Sequence, residues 1–461
     1  MMQALGRHFP FVVALAGGVV LRLLATLAYR PALMLQRDTY SYLEMASGNE
    51  SALRPPLYPF LLKPALALGN LTVVAICQHA LGLGLGIATY LLLRRLGAGR
   101  WAGALGAAPI LLDAYQVDLE HYVLAETLFQ SLLMGSLLLM VWWARPSYAA
   151  LAMVGVLLAL CGITRFVGLA LIAPALVYVL WARLGWLRLV ALAAGFGVTL
   201  GVYTLVIRPA GDDAPPVRSG YFLYGRVAAF ADCREVPVPS DLRPFCLDES
   251  DQVDRRGGFF RLGLPLQELR TDPDANAKLL EFSRRMIVGK PLDYVGVVLQ
   301  DLWRYMEPVA PPAKESYVDR WLFVSSIEEA HPRPYVVAHG GSPPPELGIA
   351  QTFRIDSRIA AWLRSYQRVG FLWGPLLGVC LLLGAVGPAA GLNRIGDRDI
   401  RPVCGLFTLA ALALLLGAVM TTVYHFRYVI APLPLFGPAG ALGAGLLTAK
   451  ISALRRRSDG S

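Results

Sequence analysis

The segment that joins the first two long apolar runs reads RDTYSYLEMASGNESALRPPLYP over residues 37–59. It opens with a carboxylate, Asp38, where the first apolar run ends, and it closes with a cation, Arg54, on a stiff Pro-Pro step. A carboxylate beside a membrane surface is costly unless a partner or a function compensates for it. A solvated interfacial loop is the ordinary interpretation of a lone Asp, and the polar residues found elsewhere in the chain argue against it.

The composition is that of a polytopic membrane protein. Of the 461 residues, 56% are hydrophobic and only 16% are charged, whereas soluble proteins carry charge on about a quarter of their residues. A spanning helix needs about 20 mostly apolar residues. Apolar runs of roughly this length lie at 11–29, 71–93, 101–117, 123–143, 148–163, 167–182, 187–207, 366–388, 402–422 and 428–449.

These runs predict an all-α polytopic membrane protein with about ten transmembrane helices and three regions. Residues 1–207 form an N-terminal transmembrane catalytic module that includes a first extracytoplasmic loop at 30–70. Residues 208–365 are rich in Pro, Asp, Arg and Gly and are too long for an ordinary loop, so we expect an extracytoplasmic, α-rich or mixed loop domain. Residues 366–461 supply the C-terminal membrane helices and a basic cytoplasmic tail.

The net charge of +10 is explained by this topology. Arginines concentrate in alternate short loops, as they do on the cytoplasmic side of membranes, which places both termini in the cytoplasm. A nucleic-acid partner is therefore not expected. Cys233 and Cys246 lie together in the polar segment on the opposite, oxidising side, which predicts a disulfide between them.

Polar residues recur where the predicted helices emerge on the extracytoplasmic side. They are Asp38, Asp118, Glu120, His121, Glu126, Arg165, His425 and Arg427. Each has an ordinary interpretation: Glu126 caps a helix, Arg165 snorkels from a short span, and His425 packs rather than binds a metal. Together, carboxylates and arginines at one depth predict a site for an anionic lipid head group with a general base.

Transfer of a group from a lipid phosphate suits this set of side chains. Arginine holds phosphate with several donors in a fork, so we expect Arg54, Arg165 and Arg427 to bind the donor phosphate. Asp38 is the candidate general base, because it lies where the first span ends. Further candidates for substrate contacts are Tyr40, Tyr58, Glu126, His425 and Trp303.

The membrane part of the chain, residues 1–210 and 366–449, resembles the GT-C superfamily of integral-membrane glycosyltransferases. Members carry an acidic residue in the first extracytoplasmic loop that is usually assigned as catalytic base, and Asp38 corresponds to it. The step RPPLY at 54–58 is similar to the Lys-Pro-Pro-Leu step of the aminoarabinose transferase and protein O-mannosyltransferase branch, with Arg in place of Lys.

The resemblance continues at two later positions. Glu120, with Asp118 beside it, corresponds to the second acidic motif of the superfamily, which makes Glu120 a second catalytic candidate. Arg427-Tyr428, followed by Pro432, is similar to the entry of the last span. The first motif reads Arg-Asp-Thr where members often have Asp-Glu.

The resemblance implies a hexosyl- or pentosyltransferase of the bacterial plasma membrane that uses a polyprenyl-phosphate-linked sugar. The acceptor is a hydroxyl of a glycan, a lipid or a protein on the outer face, no cofactor is certain, and a divalent metal is possible. Inverting and retaining transfer both stay open, and we favour inversion by direct displacement because it needs one base and no covalent carboxylate intermediate. Two other classes stay open. A flippase or transporter of lipid-linked sugars would carry polar residues along a path through the membrane. A non-catalytic subunit of an envelope-assembly complex would act through its long loop.

Overall fold

The computed structural model describes residues 2–34, 36–48, 54–207, 219–246, 274–308, 323–325, 354–390, 394–395 and 398–458. Its first ten helices are α1 Met2–Ala28, α2 Gln36–Ser47, α3 Leu57–Ala67, α4 Thr72–Arg95, α5 Arg100–Leu112, α6 Ala114–His121, α7 Glu126–Val141, α8 Tyr148–Thr164, α9 Ile172–Trp181 and α10 Trp186–Val202. The later helices are α11 Ser219–Val227, α12 Ala275–Gly289, α13 Pro291–Arg304, α14 Ser357–Gln367, α15 Gly374–Ala390, α16 Arg401–Thr421 and α17 Leu433–Ser458.

Short elements connect these helices. The 3₁₀ segments are Phe166–Leu171, Ser240–Phe245 and Phe426–Val429, and a π-helical turn, Tyr203–Ile207, follows α10. The strands are β1 Tyr29–Arg30, β2 Arg354–Ile355, β3 Arg394–Ile395 and β4 Arg398–Asp399. Antiparallel pairing joins β1 to β2 and β3 to β4.

The helices are those of a multi-pass membrane protein, as the sequence predicts. Among the described residues, four segments are long and apolar enough to cross a membrane: His8–Ala28, Thr72–Arg95, Trp186–Leu205 and Arg401–Thr421. Shorter apolar helices accompany them at Leu57–Ala67, Glu126–Val141, Tyr148–Thr164, Phe166–Trp181 and Gly374–Ala389. A helix occupies each of the ten predicted apolar runs, although several boundaries differ from the prediction.

The prediction of one continuous span over 101–117 is wrong at its end. Helix α5 stops at Leu112, and a second helix, α6, begins at Ala114. The side chain of Asp113 accepts a hydrogen bond of 2.9 Å from the backbone N–H of Gln116 and so caps α6. Because a cap of this kind satisfies a backbone donor at a helix N-terminus, a separate helix begins here.

The predicted span over 366–388 begins too early. Residue 366 belongs to α14, and the chain turns before α15 starts at Gly374. The turn packs on the junction of α5 and α6, where the N–H of Ala114 donates to the carbonyl oxygen of Gly370 at 2.6 Å. Contact with another helix pair, which hydropathy does not reveal, therefore sets this boundary.

The described parts of the long segment 208–365 are mainly helical and pack at one end of the membrane helices. Helices α11 and α12 and the segment Ser240–Phe245 enclose a small core that contains Tyr224, Phe245 and Phe282. Cys233 and Cys246 form a disulfide at its edge, with their Cα atoms 5.9 Å apart. At the same end, β1 of the first loop pairs with β2 near the end of the long segment.

Candidate functional site

Five charged side chains from separate parts of the chain form one ion-pair network, here named the arginine cluster. Asp38 pairs with Arg54 and with Arg427, whose Nη1 lies 2.7 Å from Asp38 Oδ2. Glu126 pairs with Arg165 and with Arg427, whose Nε lies 2.9 Å from Glu126 Oε1. Three guanidinium groups face two carboxylates, so the cluster has one positive charge in excess.

Each member of the cluster lies at the end of a helix or beside one. Asp38 is in the first turn of α2, and Glu126 is the first residue of α7, where a carboxylate is favoured by the helix dipole. Arg165 has an extended backbone between α8 and the following 3₁₀ segment. The backbone N–H of Arg427 donates to Nδ1 of His425, which caps the 3₁₀ segment that carries this arginine.

The arginines of the cluster form the charged end of a cavity of about 380 Å³. Among the described residues, Arg54, Arg165 and Arg427 line it, whereas Asp38 and Glu126 do not. The rest of the wall is mostly apolar and includes Phe166, Val167, Leu169, Ala170, Leu414, Gly417 and Ala418. A cavity with three cations at one end and an apolar remainder fits an amphiphile with an anionic head.

The charges of the cluster control the protonation of its neighbours. Burial alone would raise the pKa of Asp38, but the charges of Arg54 and Arg427 outweigh it and hold this pKa well below its ordinary value. Burial lowers the pKa of His425 to about 3, and the charge of Arg427 acts in the same direction. At neutral pH, Asp38 is therefore a carboxylate and His425 is a neutral ring.

Glu120 does not join the arginine cluster. Its Oε1 accepts from Arg22 Nη2 at 2.7 Å and from Gln116 at 2.9 Å, and its Oε2 accepts from Arg22 Nε at 2.8 Å. Nδ1 of His79 lies 3.0 Å from the same Oε2. Both oxygens of Glu120 are thus occupied by buried donors. The structure makes Glu120 the counter-ion of Arg22 and separates it from the site where a catalytic role was expected.

The two histidines beside Glu120 complete this buried network. Nε2 of His121 donates to the carbonyl oxygen of Tyr29 at 2.9 Å, and burial lowers the pKa of His121 to about 3, so its Nδ1 carries no proton. Nε2 of His79 lies 3.0 Å from that Nδ1 and must be the donor. His79 therefore bridges Glu120 and His121 within this buried network.

Asp118 occupies a third position, apart from both networks. It is fully buried, and neither of its oxygens has a hydrogen-bond partner among the described residues. Burial raises its pKa well above the ordinary value. Burial therefore favours the protonated form of the Asp118 carboxyl group.

The cavity is lined by aromatic side chains other than the predicted ones. Tyr42 and Tyr428, which are not among the substrate-contact candidates named from the sequence, line the cavity. Tyr40 is buried, and Tyr58 donates to Gln78 at 2.9 Å, so neither belongs to the cavity lining. Helical periodicity could have identified Tyr42, because it is four residues after Asp38 and shares its face of α2.

Trp303 also lies outside the cavity lining, on the exposed side of α13 with 62% of its surface accessible. It is therefore not positioned to stack on a sugar at the arginine cluster. Within the described residues, no group of three or more His, Cys, Asp or Glu side chains is arranged to hold a metal ion.

No protein-family model and no curated protein matches the chain. Among solved structures, the chain is similar to the crystal structure of ArnT from Cupriavidus metallidurans bound to undecaprenyl phosphate. The match covers 94% of this chain and 77% of that chain, with 15% sequence identity and a TM-score of 0.31. A likeness at this TM-score supports no transfer of residues or activity from that protein to this chain.

Proposed function

We propose that the chain is a glycosyltransferase that moves a monosaccharide from a polyprenyl-phosphate donor to an acceptor hydroxyl on the outer face of a bacterial plasma membrane. One observation carries the proposal: three arginines from three separate turns meet at one end of an apolar cavity. A polyprenyl-phosphate sugar has the matching parts, an anionic phosphate and a hydrocarbon chain. The acceptor belongs to a glycan, a lipid or a protein.

The charge of the cluster suits the donor phosphate. Guanidinium groups bind phosphate oxygens with parallel, charge-assisted hydrogen bonds. The donor is a phosphodiester with one negative charge, which equals the single positive charge in excess on the cluster. When the bond between the sugar and the phosphate oxygen breaks, the electron pair stays on that oxygen, and the leaving polyprenyl phosphate gains a second charge.

Asp38 is the proposed general base of this step. The acceptor oxygen forms a bond to the anomeric carbon, and its proton passes to the Asp38 carboxylate. The cluster then carries two positive charges in excess, as the leaving group carries two negative ones, so the charges balance before and after transfer. Asp38 is also the more accessible carboxylate, with 13% of its side chain exposed against 2% for Glu126.

The low pKa of Asp38 in the free protein is compatible with its proposed role as the base. Arg54 and Arg427 lower that pKa, and a carboxylate with a low pKa is a weak base. A bound phosphate takes part of the positive charge of both arginines, which allows the pKa of Asp38 to rise. Asp38 then becomes a stronger base when the donor is present. The scheme routes no step through a divalent metal.

The location of buried charges favours an enzyme over a transporter. Within the described spans, Arg22 lies near the C-terminal end of α1 and His79 lies near the N-terminal end of α4. Both ends face the side of the bundle that holds the arginine cluster, as the bonds from each residue to Glu120 require. A transporter would need buried charged side chains that continue toward the opposite side of several spans.

The substitution Asp38→Asn tests the proposal, because it keeps the shape of the side chain and removes the proton acceptor. We expect release of polyprenyl phosphate from a radiolabelled donor in native membranes to fall by about 10²-fold or more, the usual contribution of a general base. Donor binding should persist. The matched control is Asp293→Asn, at an exposed carboxylate of α13. Transfer at the wild-type rate by Asp38→Asn would show that Asp38 is only a counter-ion of the arginines.

A further inference from the structure

Helix α13, in the long segment, displays an apolar stripe that nothing in the described structure covers. Leu292, Val295, Leu299 and Trp303 are 84%, 48%, 56% and 62% exposed. Their spacing of three, four and four residues places them on one side of the helix. A stripe of large apolar side chains with this exposure is an interaction surface.

The opposite face of α13 holds the end of a membrane span. The hydroxyl of Tyr294 donates to the carbonyl oxygen of Met420, in the last turn of α16, at 2.9 Å. Asp301 accepts a hydrogen bond of 3.0 Å from the backbone N–H of Tyr424, just beyond that span, and also pairs with Arg226. The inward face is therefore tied to α16 and to the turn that follows it.

The C-terminal end of α13 lies against a second span. A Cβ atom added at Gly374, the first residue of α15, would overlap the carbonyl oxygens of Tyr305 and Glu307. Helix α15 begins, and α16 ends, on the same side of the bundle, because the two are consecutive and antiparallel. The exposed stripe of α13 thus lies at the depth where the membrane helices end.

We propose that α13 is a membrane-surface helix whose stripe of Leu292, Val295, Leu299 and Trp303 inserts into the lipid leaflet at this end of the bundle. Amphipathic helices of this kind bury their apolar face about 5–10 Å into the boundary between head groups and acyl chains. Tryptophan is enriched at that boundary, which suits Trp303. The exposed polar residues Asp293 and Gln300 border the stripe on one side and remain in water.

Insertion of α13 has a consequence for the arginine cluster. Tyr305, directly after α13, donates to the carbonyl oxygen of His425 at 3.2 Å, and Asp301 holds Tyr424. Arg427 follows two residues after His425. Helix α13 therefore holds the turn that carries Arg427. If α13 lies on the lipid, it sets the depth of Arg427 relative to the layer of lipid phosphates.

Spin labelling of the full chain in nanodiscs tests the proposal without any sugar donor. A nitroxide is attached at Leu299→Cys in a background with Cys77→Ala and Cys380→Ala, since the remaining free cysteines, Cys161 and Cys404, are buried. The control label is at Glu281→Cys, on the exposed polar side of α12. Frequent collisions of the nitroxide with molecular oxygen, which concentrates in lipid, indicate a lipid environment. Frequent collisions with a water-soluble nickel chelate indicate an aqueous environment.

We expect the nitroxide at Leu299→Cys to collide more often with oxygen than with the nickel chelate. At Glu281→Cys we expect the nickel chelate to give the higher collision rate. A label at Leu299→Cys that meets mainly the nickel chelate would place the stripe in water and overturn the proposal. Protection from both reagents would show that protein covers the stripe and would overturn it equally. Because the readout needs no donor, either failure would leave the proposed transfer activity standing.

Discussion

Replacement of Glu126 by Gln separates the two effects that a buried carboxylate has on the arginine cluster. The side chain of Glu126 is 2% exposed and pairs with Arg165 and Arg427. Glutamine keeps its size and removes its charge. The cluster then has two positive charges in excess instead of one, and two buried guanidinium groups lose a shared counter-ion.

The structure predicts opposite changes in stability and in binding. Removal of one partner from a buried ion pair lowers the free energy of unfolding by about 3–5 kcal/mol. A bound phosphate, in contrast, no longer competes with Glu126 for Arg165 and Arg427. One additional charge-assisted hydrogen bond contributes about 1.5–3 kcal/mol, which lowers the Kd for a phosphate ligand by roughly tenfold to a hundredfold.

Thermal unfolding of the detergent-solubilised protein, titrated with undecaprenyl phosphate, measures both changes. Glu126→Gln should unfold at a lower temperature than the wild type without ligand and should gain more stability from the same ligand concentration. The control is Glu281→Gln, which removes an exposed ion pair with Arg285 and should change stability by less than about 1 kcal/mol. A variant that binds undecaprenyl phosphate more weakly than the wild type would refute the assignment of the cluster as a phosphate site.

Two further predictions concern single side chains. Replacing Arg54, Arg165 or Arg427 by Lys should in each case weaken binding of undecaprenyl phosphate by roughly tenfold to a hundredfold, since Lys lacks the second parallel donor. The control is Arg285→Lys. Unchanged affinity in all three variants would show that the phosphate binds elsewhere. Asp118→Asn should stabilise the protein more at pH 8 than at pH 4, because burial raises the pKa of Asp118 in the folded state and its ionisation opposes folding as pH rises above the ordinary value; a difference that is independent of pH would contradict this.

Much of the membrane architecture could be predicted, because hydropathy reports which segments are apolar. The failures occur where a local cap or a tertiary contact ends a helix. Asp113 with Gln116 three residues later is a capping signal, so the break between α5 and α6 could have been found in the sequence. The start of α15 at Gly374 could not, because contacts between distant segments determine it.

The members of the arginine cluster could be predicted as a group, since each follows or opens an apolar run on the same predicted side. The ion pair of Glu120 with Arg22 could not be predicted from the sequence. A cation inside an apolar run requires a partner, so the sequence indicates that Arg22 has a buried counter-ion. Packing determines which carboxylate becomes that counter-ion. Gly82 leaves the space for that carboxylate, because a Cβ there would overlap Glu120.

A structure of the chain with undecaprenyl phosphate bound would locate the phosphate directly. We expect phosphate oxygens within about 2.7–3.2 Å of guanidinium nitrogens of Arg54, Arg165 and Arg427, with the hydrocarbon chain along Val167 and Gly417. A second, larger groove of about 1150 Å³ lies between α5, α15 and α17. A phosphate bound in that groove, with the ion pairs of the arginine cluster unchanged, would show that the cluster is not the phosphate site.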